Sequence, residues 1–330
     1  MKKLLITFLL LAVSGTQALA LNPPDDQQMQ SPFTDVNWGD EYFDALNYLK
    51  KEGIVAGYAD GSFKPFQTIN RVEFTKIIVE ADGYDAAKGP FDMSSAADLN
   101  FKDLEDGVWY VPYLREAKNK GLIGGYPDGT FKPSQKINFA EAAKIIVVST
   151  GGDFAGAGYA PEDWYHKYVN VLEEKHAIPR TIGGFDQEIT RGEMAEMIYR
   201  LRTENEGKPS NGYADLAAPK GYLEGSLSYP SIGVPVNMII CADKTEEVVT
   251  YCTYNHIVSD KYLYGVGYRL AVPAGHYKVY AYVDTLYGSY SEFVTCGMDA
   301  SHCTSHEPVE VKVEVGKTVK DIDTADWYHN

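Results

Sequence analysis

Two arginines occupy places where helices are expected to begin. Arg71 follows Asn70 and Arg191 follows Thr190, and each lies two residues before a glutamate, Glu73 or Glu193. Asn or Thr three residues ahead of Glu is a capping-box arrangement, in which each side chain satisfies an orphan backbone N–H, and Asn138 with Glu141 repeats it. Capping, not catalysis, is the role expected of these glutamates. A cation at the first helical position opposes the helix dipole at a cost of about 0.3–1 kcal/mol. Free N–H groups at the same place favour an anion, and a guanidinium is a planar fork suited to carboxylate. The arginines therefore point either to a bound anion or to a carboxylate paired across a repeat interface. Phe139 fills the equivalent place after Asn138 and cannot bind an anion in that way. Trp109 and Trp164 precede further expected helices, with Trp38 three residues out of register. An aromatic beside an arginine suits a sugar ring, although capping the apolar core is the preferred role for each tryptophan taken alone.

Other chemistry is sparse. There is no Gly-x-Ser-x-Gly elbow and no His-Glu-x-x-His helix, and Gly265-Val266-Gly267 lacks the third glycine and the helix of a dinucleotide site. An enzyme and a cofactor are not expected. The four cysteines, Cys241, Cys252, Cys296 and Cys303, all lie late. Three pairings are possible. Cys241–Cys252 and Cys296–Cys303 are favoured because each closes a short loop, each stabilising by about 2–3 kcal/mol. His302 and His306 flank Cys303, but the spacing matches no common zinc pattern, so no metal is expected. Asp60-Gly61 and Asp128-Gly129 read as tight turns with too few oxygen ligands for calcium.

The elements that carry these residues come from an internal repeat. Gly57-Tyr58-Ala59-Asp60-Gly61-Ser62-Phe63-Lys64-Pro65 recurs as Gly125-Tyr126-Pro127-Asp128-Gly129-Thr130-Phe131-Lys132-Pro133, and a third copy keeps only Ile189-Thr190-Arg191-Gly192-Glu193. Apolar residues at spacing 0, 3, 4, 7 place two amphipathic helices in each copy. The first helices carry Tyr42, Ala45, Leu46, Leu49; Tyr110, Tyr113, Leu114, Ala117; and Tyr165, Tyr168, Val169, Leu172. The second carry Phe74, Ile77, Ile78, Ala81; Ala142, Ile145, Ile146, Ser149; and Met194, Met197, Ile198, Leu201. Residues 1–20 read as a secretory signal, with Lys2 and Lys3 ahead of a short apolar stretch and Ala18-Leu19-Ala20 at the cleavage site. A loose leader is expected at 21–32, a linker at 203–212, and strands from 213 to 330. No membrane span is expected after signal cleavage. The balance of 46 Asp+Glu against 30 Lys+Arg argues against nucleic-acid binding, and 25 tyrosines suit an extracellular, β-rich or sugar-contacting protein.

Residues 33–202 resemble three S-layer homology repeats, at 33–82, 101–150 and 160–202. The resemblance rests on the Phe33-Thr34-Asp35-Val36 and Phe101-Lys102-Asp103-Leu104 openings, the Gly-Tyr-x-Asp-Gly-x-Phe-Lys-Pro loops, and helix starts close to Ile-Thr-Arg-Ala-Glu. It implies an α-helical pseudo-threefold bundle that attaches an exported protein non-covalently to cell-wall polysaccharide or peptidoglycan, often a pyruvylated secondary polymer, with surface-layer proteins as further partners. The motif arginine contacts acidic sugar in grooves between repeats, a role that falls here on Arg71 and Arg191. Trp109, Trp164, Tyr58, Tyr126, Lys64 and Lys132 complete the implied glycan-binding set. Phe139 and the truncated loop at Gly183-Gly184-Phe185 depart from the pattern, so fewer than three working grooves are expected. The Val272-Pro273-Ala274-Gly275-His276-Tyr277 turn resembles transthyretin-like or carboxypeptidase-regulatory-like modules, which implies a non-catalytic, all-β antiparallel sandwich at 213–330. The function implied is a wall-anchored surface protein. A self-assembling surface-layer subunit is the alternative, ahead of a surface enzyme with its site in the β domain.

Overall fold

The computed structural model describes residues 31–83, 95–151, 163–204, 207–283 and 286–327. The expected signal and residues 21–30 of the leader lie outside the described residues. The apolar stripes place six helices in three consecutive pairs: α1 (Phe43–Lys51) with α2 (Arg71–Ala81), α3 (Val111–Asn119) with α4 (Phe139–Ser149), and α5 (His166–Glu174) with α6 (Arg191–Thr203). Leu46, Leu49, Phe74, Ile78, Leu114, Ile146, Val169, Leu172 and Met194 are buried in one shared apolar cluster. Partners are exchanged between pairs: α2 packs on α3, α4 on α5, and α6 returns to α1.

The backbone closes the same circle. Ile69 N–H donates to the Ile189 carbonyl, Ile189 to Ile137, and Ile137 to Ile69, each at 3.1 Å. The strand-like residue before each second helix thus meets both others at the centre. Two residues on, the first turn of each second helix donates to the loop of another pair. Arg71 N and Val72 N reach Gln135 O and Pro133 O, Phe139 N and Ala140 N reach Gln187 O and Phe185 O, and Arg191 N and Gly192 N reach Gln67 O and Pro65 O. The third N–H goes to the cap: Glu73 N to Asn70 Oδ1 and Glu141 N to Asn138 Oδ1 at 2.8 and 2.9 Å, and Glu193 N to Thr190 Oγ1 at 3.1 Å. The expectation of free helix-start N–H groups awaiting an anion is therefore corrected, because a buried helix end must satisfy those donors and here the loops of the other helix pairs do so. Of the three second-helix starts only Thr190 forms a complete capping box, its N–H donating to Glu193 Oε2. At the other two starts the cap accepts one bond, and the glutamate side chain turns elsewhere.

The openings hold the loops. Asp35 accepts Phe63 N and Lys64 N, both at 2.7 Å, and Asp103 accepts Phe131 N and Lys132 N at 2.8 and 2.7 Å. These bonds fix Lys64 and Lys132 in the left-handed region at φ 59°. A side chain at Gly57 would stand 2.6 Å from the Phe33 ring and one at Gly125 would stand 2.3 Å from Phe101, which explains glycine ahead of each loop tyrosine.

The stretch expected to be a linker is packed where it is described. Lys208 Nζ donates to Glu41 O at 2.9 Å and Asn211 Nδ2 to Ile182 O at 2.9 Å, ahead of a short helix α7 (Tyr213–Ala217). Two sheets follow. One has the order β4 (His256–Val258), β5 (Val266–Pro273), β1 (Lys220–Ser226), β9 (Thr318–Val319). In the other, β3 (Thr250–Thr253), β2 (Ile239–Lys244) and β6 (Gly275–Val283) run in that order. β7 (Leu286–Ser289) and β8 (Glu310–Val313) both pair with β6. Leu223, Leu270, Ile240 and Val279 from the two sheets share one apolar cluster. The Pro273-Ala274-Gly275 turn carries the chain from one sheet to the other. Three features depart from an all-β antiparallel expectation over 213–330, the first being α7 itself. A helix α8 (Glu292–Thr295) intervenes after β7, and β9 pairs parallel with β1, matching Tyr222 to Thr318. The chain reaches β9 by crossing from β8 in the other sheet, and parallel neighbours require such a crossover. Cys241–Cys252 and Cys296–Cys303 are both disulfide-bonded.

The two halves meet through an aromatic contact. Tyr254 lies 4.5 Å from Phe66 and 5.8 Å from Tyr42 between ring centroids. Tyr42 is fully buried and lies against Gly192, where an added Cβ would stand 2.3 Å from its ring. Gly192→Ala is expected to destabilise the protein by about 1–3 kcal/mol through overpacking. Urea denaturation followed by circular dichroism measures this, and an unchanged midpoint would contradict a fixed Tyr42.

Candidate functional site

Arg191 reaches from the start of α6 into a groove against the first repeated loop. Its Nε donates to Phe63 O at 2.8 Å, and its guanidinium lies 4.8 Å from the Tyr58 ring centre and 4.5 Å from that of Phe63. Lys64 Nζ stands 4.4 Å from the same Tyr58 ring, so one tyrosine holds two cations. Glu73 is 3.9 Å from Arg191, at the limit of an ion pair. The groove has a volume of about 280 Å³ and is walled by Val55, Gly57, Tyr58, Ile77, Trp109 and Arg191. Burial lowers the Arg191 pKa, against the opposing influence of Tyr58 and Glu73. That penalty favours an anion from outside as a further partner.

Arg71 is built the same way on the second loop, with a different outcome. Its Nε donates to Phe131 O at 2.9 Å, and its guanidinium lies 4.5 Å from the Tyr126 ring centre, with Lys132 Nζ at 4.2 Å from that ring. Here the glutamate closes in. Glu141 pairs with Arg71 at 3.0 Å and accepts the Tyr126 hydroxyl at 2.6 Å, while Gln135 donates to that hydroxyl at 3.1 Å. Burial, followed by the hydrogen bond to Glu141, pushes the Tyr126 pKa up to about 12. The carboxylate that Arg71 could take from a ligand is already supplied from within. Of the two roles open to the arginines, the internal pair is thus realised fully at Arg71 and only loosely at Arg191.

The tryptophans do not cap the core. Trp109 is 46% exposed and Trp164 39%, which corrects the preference for a packing role. Each stands edge-on to the tyrosine of its own helix, Trp109 to Tyr113 at 6.1 Å and Trp164 to Tyr168 at 6.5 Å. Trp109 forms the rim of the Arg191 groove. Trp164 stands by Lys144, whose Nζ is 5.8 Å from its ring centre and whose pKa is lowered chiefly by burial. Lys144 went unnoticed in the sequence because it reads there as one charge on the polar face of a helix.

The third position holds no arginine. Phe139 is buried, and the short loop places Phe185 between Tyr165 at 4.6 Å and Tyr213 of α7 at 5.1 Å. His166 stacks on Tyr213 at 3.8 Å. The segment leading to the sheets therefore covers the place of a third groove. Among the described residues no group of three or more His, Cys, Asp or Glu could hold a metal. His302 lies by Asp299 and His306 by Asp326. No helix among them is long and apolar enough to cross a membrane.

The S-layer homology domain model matches residues 32–75 and 100–143, so the chain carries two such repeats. A middle cell wall protein of Brevibacillus brevis is 27% identical over 150 residues, 46% of this chain and 13% of that protein. Cell surface glycoprotein 1 of Acetivibrio thermocellus is 32% identical over 141 residues, 41% of this chain and 6% of that protein. A cellulosome-anchoring protein of the same organism is 32% identical over 102 residues, 31% of this chain and 22% of that protein. The chain thus spans less than a quarter of the length of these relatives.

The difference between the arginines predicts different stability costs. Arg71→Ala leaves Glu141 buried without its cation, and breaking such a pair costs about 3–5 kcal/mol. Arg191→Ala loses chiefly one hydrogen bond to a carbonyl and is expected to cost about 1–3 kcal/mol. Equal shifts of the two variants in urea denaturation would contradict this asymmetry.

Proposed function

We propose that the chain is an exported protein held on the cell wall by its repeats, with the Arg191 groove as the seat for an acidic wall glycan. The observation that carries this reading is the arrangement at that groove. A buried arginine with no close carboxylate partner lies on Tyr58, below an exposed tryptophan. A pyruvylated or otherwise carboxylated sugar would give the arginine its counter-charge and Trp109 a ring to stack on. Arg71, Tyr126 and Trp164 form a second, self-satisfied groove of lower affinity, and Lys64 and Lys132 act by holding the loop tyrosines. Residues 160–202 are read as a third repeat that completes a pseudo-threefold bundle. The matched repeats and the wall and surface relatives support this placement outside the membrane.

The β half is read as a displayed, non-catalytic sandwich of the transthyretin-like or carboxypeptidase-regulatory-like kind, its two sheets and the Pro-Ala-Gly crossing supporting that assignment. A second reading, a subunit of a self-assembling surface layer, is favoured by the fully exposed Ile232 and Val248 on the loops of this half. Lattices of the purified chain in electron micrographs would move it to first place.

Residues 21–330 are expected to co-sediment with cell-wall sacculi and to lose binding once secondary polymers are removed by acid. Arg191→Ala should weaken binding about 10-fold or more, the scale of one charge-assisted hydrogen bond, and Trp109→Ala should weaken it about as much through the lost stacking surface. Arg71→Ala, in conditions where it stays folded, should weaken it less. Undiminished binding by the Arg191 and Trp109 variants would sink the assignment of this groove.

A further inference from the structure

A much larger cleft, about 1140 Å³, opens where the helical half meets the sheets. That volume is just beyond the range of about 300–1,000 Å³ usual for small-molecule pockets, and suits an oligomer better than a single small ligand. One wall is the first repeated loop from Lys64 to Thr68, another is the short third loop, and the third is the outer face of β1 and β5 with the chain after β3.

On the sheet wall the Arg269 guanidinium lies over Tyr222, 3.7 Å from the ring centre. This is the same cation-on-tyrosine unit as in the two grooves, with one difference. Arg191 and Arg71 each spend Nε on a carbonyl, whereas Arg269, exposed on its strand, makes no hydrogen bond or ion pair among the described residues. In a chain with 46 acidic residues against 30 Lys and Arg, an arginine left without a carboxylate on a cleft wall is unusual. The acids around it have other work. Asp35 accepts two backbone N–H groups, and Glu193 is closed into its capping box. Asp186 lies near Lys220, which is itself anchored to Asp215 O and Leu216 O. Glu188 is exposed at the rim, where it can accept sugar hydroxyls. The fork of Arg269 is a donor set left open to the cleft.

We propose that this cleft is a second glycan site, taking a carboxylate-bearing oligosaccharide segment with Arg269, braced on Tyr222, as its carboxylate reader. The choice of an acidic glycan rests on the reading of the Arg191 groove; the site itself does not. The test is calorimetry of residues 21–330 with oligogalacturonate as the acidic probe and its methyl ester as the neutral one. The Arg191→Ala variant is expected to retain binding of the acid form and not of the ester. Adding Arg269→Ala should then weaken it at least about tenfold, with Arg269→Lys recovering only part, because a lysine lacks the planar fork. Arg269→Ala should lower the thermal unfolding temperature by no more than about 4 °C, since the exposed side chain gives up one cation–π contact. The proposal is overturned if Arg269→Ala leaves that binding intact, if the ester binds as well as the acid, or if the unsubstituted chain binds neither. Loss of all binding in Arg191→Ala alone would reject the cleft and keep the groove. Loss confined to Arg269→Ala, with Arg191→Ala like the unsubstituted chain, would reject the groove and keep the cleft.

Discussion

The structure depends on where three helix starts send their N–H groups. A helix begins with donors that its own turns cannot satisfy, and burying them without partners is costly. Here each second helix gives its first two N–H groups to the loop of another helix pair, and the residue two positions before it joins a closed circle of three hydrogen bonds through Ile69, Ile189 and Ile137. Each segment completes another, so a single repeat would expose both the donors and an apolar stripe. The same requirement brings each arginine onto a loop of a different repeat, because the residue that opens the helix must lie against the carbonyls that receive it. The grooves follow from the way the fold satisfies its backbone.

Near-identical sequence motifs then give two unlike sites. Both arginines lie on a tyrosine and donate to the carbonyl of a loop phenylalanine. The difference is a matter of where one carboxylate settles. Glu141 is drawn in by Tyr126 and by Gln135 behind it, and neutralises Arg71 at 3.0 Å. Glu73 stays partly exposed at 3.9 Å and leaves Arg191 short of charge. An internal ion pair and an external one compete for the same guanidinium, and a shift of less than one ångström in the internal partner decides how much is left for a ligand.

What could be read in advance follows the range of the interactions. The helices were legible because a stripe of period 3.6 is local, and residues such as Leu46, Ile78 and Val169 lie in the core as their spacing requires. The cap at Asn70 was legible for the same reason. The full box expected there was not realised, because Glu73 faces Arg191, 118 positions away in the chain and unpaired with it in any short pattern. The exposure of Trp109 and Trp164 was misjudged because apolar character says nothing of which side of a helix end a ring takes. The packing of Asn211 onto Ile182 was hidden in a polar stretch that composition marks as linker. In the β half the Pro273-Ala274-Gly275 turn was visible, whereas the parallel pairing of β9 with β1 depends on how the chain crosses between sheets. Arg269 drew no notice because nothing near it in sequence points to Tyr222.

The contact between the halves also has a mechanical side. Tyr254 is seated between Tyr42 and Phe66 just beyond the end of β3, and β3 is the edge strand of its sheet. Tension carried through that contact pulls on a strand held from one side only, the geometry in which a ladder peels one rung at a time. The Cys241–Cys252 bond joins the directly opposed residues of β2 and β3, two positions inward from Tyr254. A peeling front that starts at Tyr254 meets a covalent rung almost at once, and the load passes to β2, which is flanked on both sides. In the oxidised chain the aromatic seat has to slip before the sheet can unzip.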